Sequence, residues 1–495
     1  MEWLDHYPVV VVGGGPGGIM AALSAARNGA RTLLIEQGAF LGGTATRSLI
    51  GPISPFHFGD EQIVRGPAQE LIDRMVRYGG ATGHLKCINP TGTGSYVCLY
   101  DHETYKYVAQ EMLLEAGVDL MFHARVERVL QTGWQLEGVQ VTTRFGGRTV
   151  GASVVVDASG DGDVAVMCGE SWEYGNGKGQ AQPSSLMFEM AEVDVERLYA
   201  HILDHPQDFT RRSDLIVVKD HPVIDNRPLF VAQGYTPQVR AAVERGELHF
   251  GRSDVHTVTG FHPGWIHFNS VRLSGYDSLD LSQRDAAEID GRRQMESIAQ
   301  FMKRYIPGFE HAYIARAGCE IGIRETRHIQ GCYKLTAEDV AGGKKFADVI
   351  SRGGFAIDIH GAKEAPGVSG AAGFWQELRD CYDIPYRAVV PAHVDGLLLA
   401  GRCISGESAA HASFRTQGVV MGLSQAVGTA AALCARLSIH PRDLDVKLLQ
   451  RTLITMNASP FRDRQQRERE LCAAHAAVRR FVAQHPRCIT EKCYL

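Results

Sequence analysis

Neither sign of charge dominates this chain. Its 51 Lys and Arg stand against 56 Asp and Glu, a formal net charge of -5, so the broad basic field by which proteins hold nucleic acid or an anionic membrane is missing. A small-molecule partner is expected instead. Cysteine is present without making a scaffold: eleven thiols, an odd number, spread from Cys87 to Cys493 lack the dense spacing of a disulfide framework, which predicts reduced side chains. The opening MEWLDHYPVVVVGGG has neither a basic n-region nor a cleavage site, and its apolar run Val9 to Val12 is far too short to span a bilayer. It reads as the first strand of a cytoplasmic protein that makes no membrane contact. No segment repeats at a fixed period, which excludes solenoids and propellers.

What is there is a globular composition, 44% hydrophobic and 22% charged over 495 residues. At roughly 100 to 200 residues per domain this is enough for two or three lobes. Val9 to Val12, Gly13-Gly-Gly-Pro-Gly-Gly18, an Ala-rich stretch to about Asn28 and Arg31-Thr-Leu-Leu-Ile-Glu36 predict strand, glycine turn, helix and strand, a βαβ unit. Asp101 is a suitable N-cap for a helix ending at Ala116-Gly117. Val154 to Asp157 and Gly396 to Gly401 read as further buried strands, and Gly418 to Leu433 as an apolar helix. The expected fold is α/β, a discontinuous Rossmann-like domain with an α+β substrate lobe and a helical tail. Its expected boundaries are 1–169 with a small insertion at 50–100, then a substrate lobe at 170–316, a return at 317–450, and a charged tail at 451–495.

Gly13-x-Gly15-x-x-Gly18 stands where a dinucleotide fingerprint needs it. Gly13 permits the turn, Gly15 lets the backbone approach a pyrophosphate, Gly18 lets helix and strand pack, and the helix N-terminus offers free N–H groups to the phosphates. Glu36 ends the second strand at the spacing of a carboxylate that accepts hydrogen bonds from a ribose 2′-OH, and its charge would repel the 2′-phosphate of NADP.

Gly42-Gly-Thr44, Asp157-Ala-Ser-Gly-Asp-Gly162 and Ala400-Gly-Arg402 resemble the FAD-binding segments of glutathione-reductase-related flavoproteins. More narrowly, Ile321-Gly-Ile-Arg-Glu-Thr-Arg327, Ile357-Asp-Ile-His360, Tyr382-Asp-Ile-Pro-Tyr-Arg387 and Ala400-Gly-Arg-Cys-Ile-Ser405 resemble the FAD-dependent oxidoreductase family, over about Val9 to Ser438. The resemblance implies FAD as cofactor. It also implies that Gly13, Gly15, Gly18 and Gly43 hold the pyrophosphate, that Glu36 holds the adenine ribose and Val126 the adenine through its backbone, that Gly42 and Thr44 belong to the cofactor site, and that Gly160, Asp161 and Gly162 approach the dinucleotide. Gly401, Arg402 and the helix start at Gln417-Gly418 would lie against the flavin. Disulfide reductases of this type carry cysteines where this chain has Ala45 and Ile50, so dithiol chemistry is not expected. No second fingerprint is present, so the electron acceptor is expected to be external: oxygen, a carrier or a visiting nicotinamide.

Oxidising a C–H bond sends a hydride to the flavin and a proton to a base, and histidine is poised for this near neutral pH. Among 20 histidines, His360 and His411 lie in family-like segments and are the candidate bases, with Arg415 four residues after His411. Arg324 is either a two-point clamp for a substrate carboxylate or carbonyl, or one half of a salt bridge to Glu320 or Glu325. His256, His262 and His267 could line a pocket in the substrate lobe, but their spacing matches no zinc set, and no metal is expected. The expected function is an FAD-dependent dehydrogenase or oxidase acting on a small oxygenated or carboxylated molecule. The alternatives are a flavin monooxygenase or halogenase, and a flavoprotein with a non-redox role.

Overall fold

In a computed structural model, the structure describes residues 3–88, 95–216, 221, 223–224, 227–361, 373–458 and 460–461. Two sheets organise it. In the first, Asp119–Met121, Thr32–Ile35, Trp3–Val12 and Gly146–Asp157 lie side by side and parallel, with Leu397–Leu399 parallel to the last of them. Strands buried on both faces need no polar alternation, which is why Val9 to Val12 is an unbroken β-branched run. The antiparallel strands Gln135–Thr143 and Arg125–Thr132 extend the far side of Gly146–Asp157.

Register decides where the chemistry goes. Val12 is level with Ile35 on one side and Asp157 on the other, and Asp157 is level with Leu399. The loops that leave these strands, at Gly13, Glu36, Ala158 and Ala400, therefore open along one C-terminal edge. The chain order reverses there, the place where open α/β sheets bind ligands. Helix Pro16–Arg27 starts from this edge, and helix Gln417–Leu437 packs behind it. The latter is apolar and long enough to cross a membrane, but its hydrophobic window is 94% buried in the protein, so it is a core helix.

The second sheet is wholly antiparallel, in the order Tyr313–Ala317, Phe188–Ala191, Ile266–Phe268, Val255–Thr259, Phe230–Gly234, Phe209–Ile216, Leu85–Ile88, Tyr96–Val97. It has its own core, in which Phe188, Phe230 and Phe268 pack against Ile298 and Met302 of helix Leu281–Tyr305. Most of its strands come from the expected substrate lobe, yet two come from residues 85–97, inside the expected insertion. Helix His102–Glu115 begins where expected, its Asp101 carboxylate accepting a hydrogen bond from the Thr104 amide at 2.8 Å. In the C-terminal region, helix Val446–Thr455 is present, while the charged tail from Arg462 onward lies outside the described residues.

Candidate functional site

The C-terminal edge of the parallel sheet forms a trough. Gly13 turns out of the first strand at φ +103°, a conformation that favours glycine. Glu36, 5% exposed, then fixes the turn: one carboxylate oxygen accepts from the Gly14 amide at 2.7 Å and the other from the Gly38 amide at 2.6 Å. The glycines of the fingerprint divide into two kinds. A Cβ on Gly18 would fall 1.7 Å from the Gly13 carbonyl oxygen, so the protein's own packing demands that glycine. A Cβ on Gly15 would meet nothing closer than Gly43 Cα at 3.9 Å. Nothing inside the protein requires a glycine there; the open space is suited to an external group.

Beyond the trough, between the two sheets, is a cavity of about 510 Å³. Thr44, Arg402 and Gln417 close it on one side, and the antiparallel sheet walls the other. Cross-strand register builds that wall. Arg211 faces Gln233, which faces His256, and one rung along, Ser213, Val231 and Val258 form the next row, so period-two alternation aims both rows the same way.

Six arginines line the cavity, Arg211, Arg252, Arg272, Arg324, Arg402 and Arg415, against two aspartates, Asp254 and Asp358. Asp254 is taken by Arg252 at 2.8 Å, and Asp161, outside the lining, takes Arg402 at 2.9 Å. Arg324 donates to the Pro183 carbonyl at 2.5 Å and Arg415 to the Asp358 carbonyl at 3.4 Å. Among the described residues neither pairs with a carboxylate, and the Arg415 Nε is buried without a partner. Burial pulls Arg324 well below the usual guanidinium range, and the charges of Arg415, Arg272 and Arg252 pull it further, opposed by Asp358.

His360 sits among them. Its Nδ1 lies 3.1 Å from Arg272 Nη2 and its Nε2 3.2 Å from Asp358 Oδ2. A guanidinium only donates, so Nδ1 must accept and Nε2 must carry the hydrogen toward Asp358. Burial lowers the His360 pKa to about 4 and the arginine charges add to this, against the opposing pull of Asp358, so the ring is neutral at neutral pH. His256 is lowered to about 3, again mainly by burial.

The model of the FAD dependent oxidoreductase family matches residues 8–453. The chain belongs to that family. It is thus an FAD-dependent oxidoreductase with FAD as its cofactor. Over 41 residues it is 60% identical to digeranylgeranylglycerophospholipid reductase of Methanocaldococcus jannaschii, 8% of this chain and 10% of that one. Over 143 residues it is 33% identical to hydrogen cyanide synthase subunit HcnB of Pseudomonas protegens, 27% of this chain and 28% of that one. These matches span about a tenth and just over a quarter of the two relatives. The myxobacterial chondrochloren halogenase CndH, a solved structure, is similar over 99% of this chain and 95% of its own, at 14% identity and a TM-score of 0.46.

The flavoenzyme's residues fit an FAD. The space over Gly15 is open, and two buried polar atoms lining the cavity, Arg402 Nε and Gln417 Oε1, find no hydrogen-bond partner among the described residues. Sequence-expected residues divide as follows. Thr44, Arg402, Gln417, Arg324, Arg415 and His360 meet in the one cavity, and Arg324 is free of Glu320 and Glu325, which bind Arg47 and His328 at 2.8 and 2.9 Å. Gly418 has a packing reason for being glycine, since a Cβ there would fall 1.9 Å from the Pro55 carbonyl oxygen. Asp161 is engaged by Thr326 at 2.7 Å and by Arg402. Val126 is buried in strand Arg125–Thr132, paired with Val141.

His411 does not line the cavity. It is 1% exposed, ring-on-edge to His328 at 4.7 Å and 3.9 Å from Glu325, so a helical spacing to Arg415 did not aim both side chains alike. Glu325, His328 and His411 form one buried Glu-His-His set, and His102, Glu189 and His267 a second, with the donor atoms of each set within 4.8 Å of one another. The residues missed from sequence are Arg211, Arg252, Arg272 and Asp358. Arg211 lies in strand Phe209–Ile216, while Arg252 and Arg272 lie in the loops before strand Val255–Thr259 and after strand Ile266–Phe268, so only the tertiary fold unites them.

Proposed function

We infer that this oxidoreductase removes a hydride from a small, oxygenated or carboxylated organic molecule held in the cavity between the two sheets. The antiparallel unit, with strands 85–97 included, is read as the substrate lobe and the rest as the FAD domain. The observation that carries the reading is the pair Arg324 and Arg415, buried cations beside the flavin-side residues with no carboxylate partner of their own among the described residues. A substrate carboxylate would supply the missing partner by a bidentate contact. FAD, when bound, supplies the hydride acceptor. His360 is the proposed base, because it is neutral, lines the cavity and is oriented by Asp358, as a proton acceptor must be. Its Nδ1 lone pair is occupied by Arg272, so Arg272 must turn away before a proton can be taken. An anionic substrate group is the natural agent of that release. His411, outside the cavity, is assigned a structural part.

The test is anaerobic bleaching of the purified protein by a panel of alcohols, amines, sugars, hydroxy acids and amino acids, followed by reoxidation with oxygen or a dye. Bleaching by a carboxylated member supports the reading. Bleaching only by neutral members, or none until a reduced nicotinamide is added, contradicts it.

A further inference from the structure

We propose that Glu325, His328 and His411 hold a structural divalent metal ion, zinc by the character of its donors, outside the substrate cavity. The site is independent of what the cavity takes. Glu325 and His328 enter with strand Arg327–Ile329 and the loop before it, and His411 with helix Ser408–Phe414, so no spacing along the chain announces the set. All three are at most 4% exposed, and their donor atoms lie within 4.8 Å of one another.

One oxygen is the focus. Glu325 Oε1 has His328 Nε2 at 2.9 Å, Ser408 Oγ at 2.5 Å and His411 Nδ1 at 3.9 Å. The last distance is too long for a hydrogen bond. It suits two atoms that each stand about 2.1 Å from a shared ion, which can be up to about 4.2 Å apart. Among the described residues His411 Nδ1 has no hydrogen-bond partner although it is buried, and the same holds for His328 Nδ1. Packing alone does not explain a polar nitrogen there. A buried polar atom without a partner costs stability, and an apolar ring would fill the space without that cost.

Two imidazoles and one carboxylate are a donor set that zinc takes with a fourth position left open, and Ser408 Oγ stands beside it. The outer contacts orient the ligands: Glu325 Oε2 accepts from the Gln182 amide at 2.8 Å, and the His411 ring packs edge-on against Phe414. Arg415 and Arg402 direct positive charge at His411, but Arg402 is paired with Asp161 at 2.9 Å and Arg415 donates to the Asp358 carbonyl on the cavity side. The second buried set fits an ion less well, because its Glu189 is already held by the Arg316 guanidinium. An ion at Glu325 fastens the segment after Arg324 to helix Ser408–Phe414.

The experiment strips the FAD-loaded enzyme with a chelator and titrates it with zinc ion alone, following metal content by mass spectrometry and Tm by thermal unfolding. Wild type should bind one more zinc per chain than His411→Asn. The X-ray absorption difference between the two should show nitrogen and oxygen ligands only, which separates this set from the chain's eleven cysteines. Losing a ligand should weaken that zinc at least about a hundredfold, the upper end of what outer-shell partners cost. Zinc should raise the Tm of stripped wild type by a few degrees and leave His411→Asn unmoved. Glu325→Gln keeps the side-chain shape and can still accept from the Gln182 amide, so it should show the same loss with FAD content intact if His411→Asn folds poorly. His267→Gln, in the second set, should bind zinc as wild type does. Zinc binding that survives both Glu325→Gln and His411→Asn, that is lost in His267→Gln instead, or that wild type does not show overturns the proposal.

Discussion

Gly15→Ala separates cofactor binding from folding. Gly15 has φ −72° and ψ −177°, extended backbone that alanine adopts without strain. The new methyl would meet only Gly43 Cα, at 3.9 Å. Alanine caps a helix less well than glycine by up to about 1 kcal/mol, and it restricts the unfolded chain by about 0.4 to 1 kcal/mol in the opposite direction. The apoprotein should therefore keep its stability to within about 1 kcal/mol. The methyl occupies the space over the trough, and losing one charge-assisted phosphate contact costs about 1.5 to 3 kcal/mol, so the Kd for FAD should rise at least about tenfold. Gly18→Ala is the opposite case. Its Cβ would lie 1.7 Å from a backbone carbonyl that cannot swing aside, and about 3 kcal/mol or more of stability should be lost. Urea unfolding of both apoproteins and FAD titration by flavin fluorescence quenching measure the two effects. Wild-type FAD affinity in Gly15→Ala would refute the assignment of the trough, and equal destabilisation by both variants would refute the division of the glycines.

Further outcomes follow from the cavity and its buried histidines. Arg324→Gln should raise KM or slow flavin reduction for a carboxylated substrate by about tenfold or more while FAD content is unchanged; no change would mean the guanidinium faces no substrate. Burial lowers His57, His102 and His360 to about 4 and His84 and His256 to about 3, below the ordinary 6.5 of an unfolded chain. The unfolded state then binds protons first, so stability is complete above about pH 6.5 and falls as pH drops toward 4. Urea midpoints at pH 7, 5.5 and 4.5 should decline in that order, and less steeply in His256→Asn; a flat or rising series would contradict the burial of these rings as neutral groups.

The nucleotide half was legible because its signals are local. A β-branched run, a glycine turn, an Ala-rich helix and Glu36 lie within 28 residues, and the parallel register that aligns Val12, Ile35, Asp157 and Leu399 follows from strands that are apolar on both faces. The substrate side was legible only in part. Arg324 and His360 stand in contiguous family-like segments, whereas Arg211 comes from strand Phe209–Ile216 and Arg252 and Arg272 from loops flanking Val255–Thr259 and Ile266–Phe268, and antiparallel pairings across some 60 residues that no periodicity announces bring these segments together. Strands 85–97 join the lobe sheet for the same reason: Leu215 pairs with Cys87, a contact 128 residues apart in sequence. His411 misled because spacing within a helix says which residues share a face, not what that face packs against. Ser408–Phe414 is a short buried helix, and the histidine turns to Glu325 and His328.

The most direct test of the account is single-turnover flavin reduction, by the substrate that bleaches the enzyme, in wild type, His360→Asn and His411→Asn, with FAD content matched beforehand. A positioned base contributes about a hundredfold to ten-thousandfold in rate. The account predicts a loss of that size in His360→Asn and a rate near wild type in His411→Asn. Near wild-type reduction by His360→Asn, or a large loss confined to His411→Asn, would contradict it.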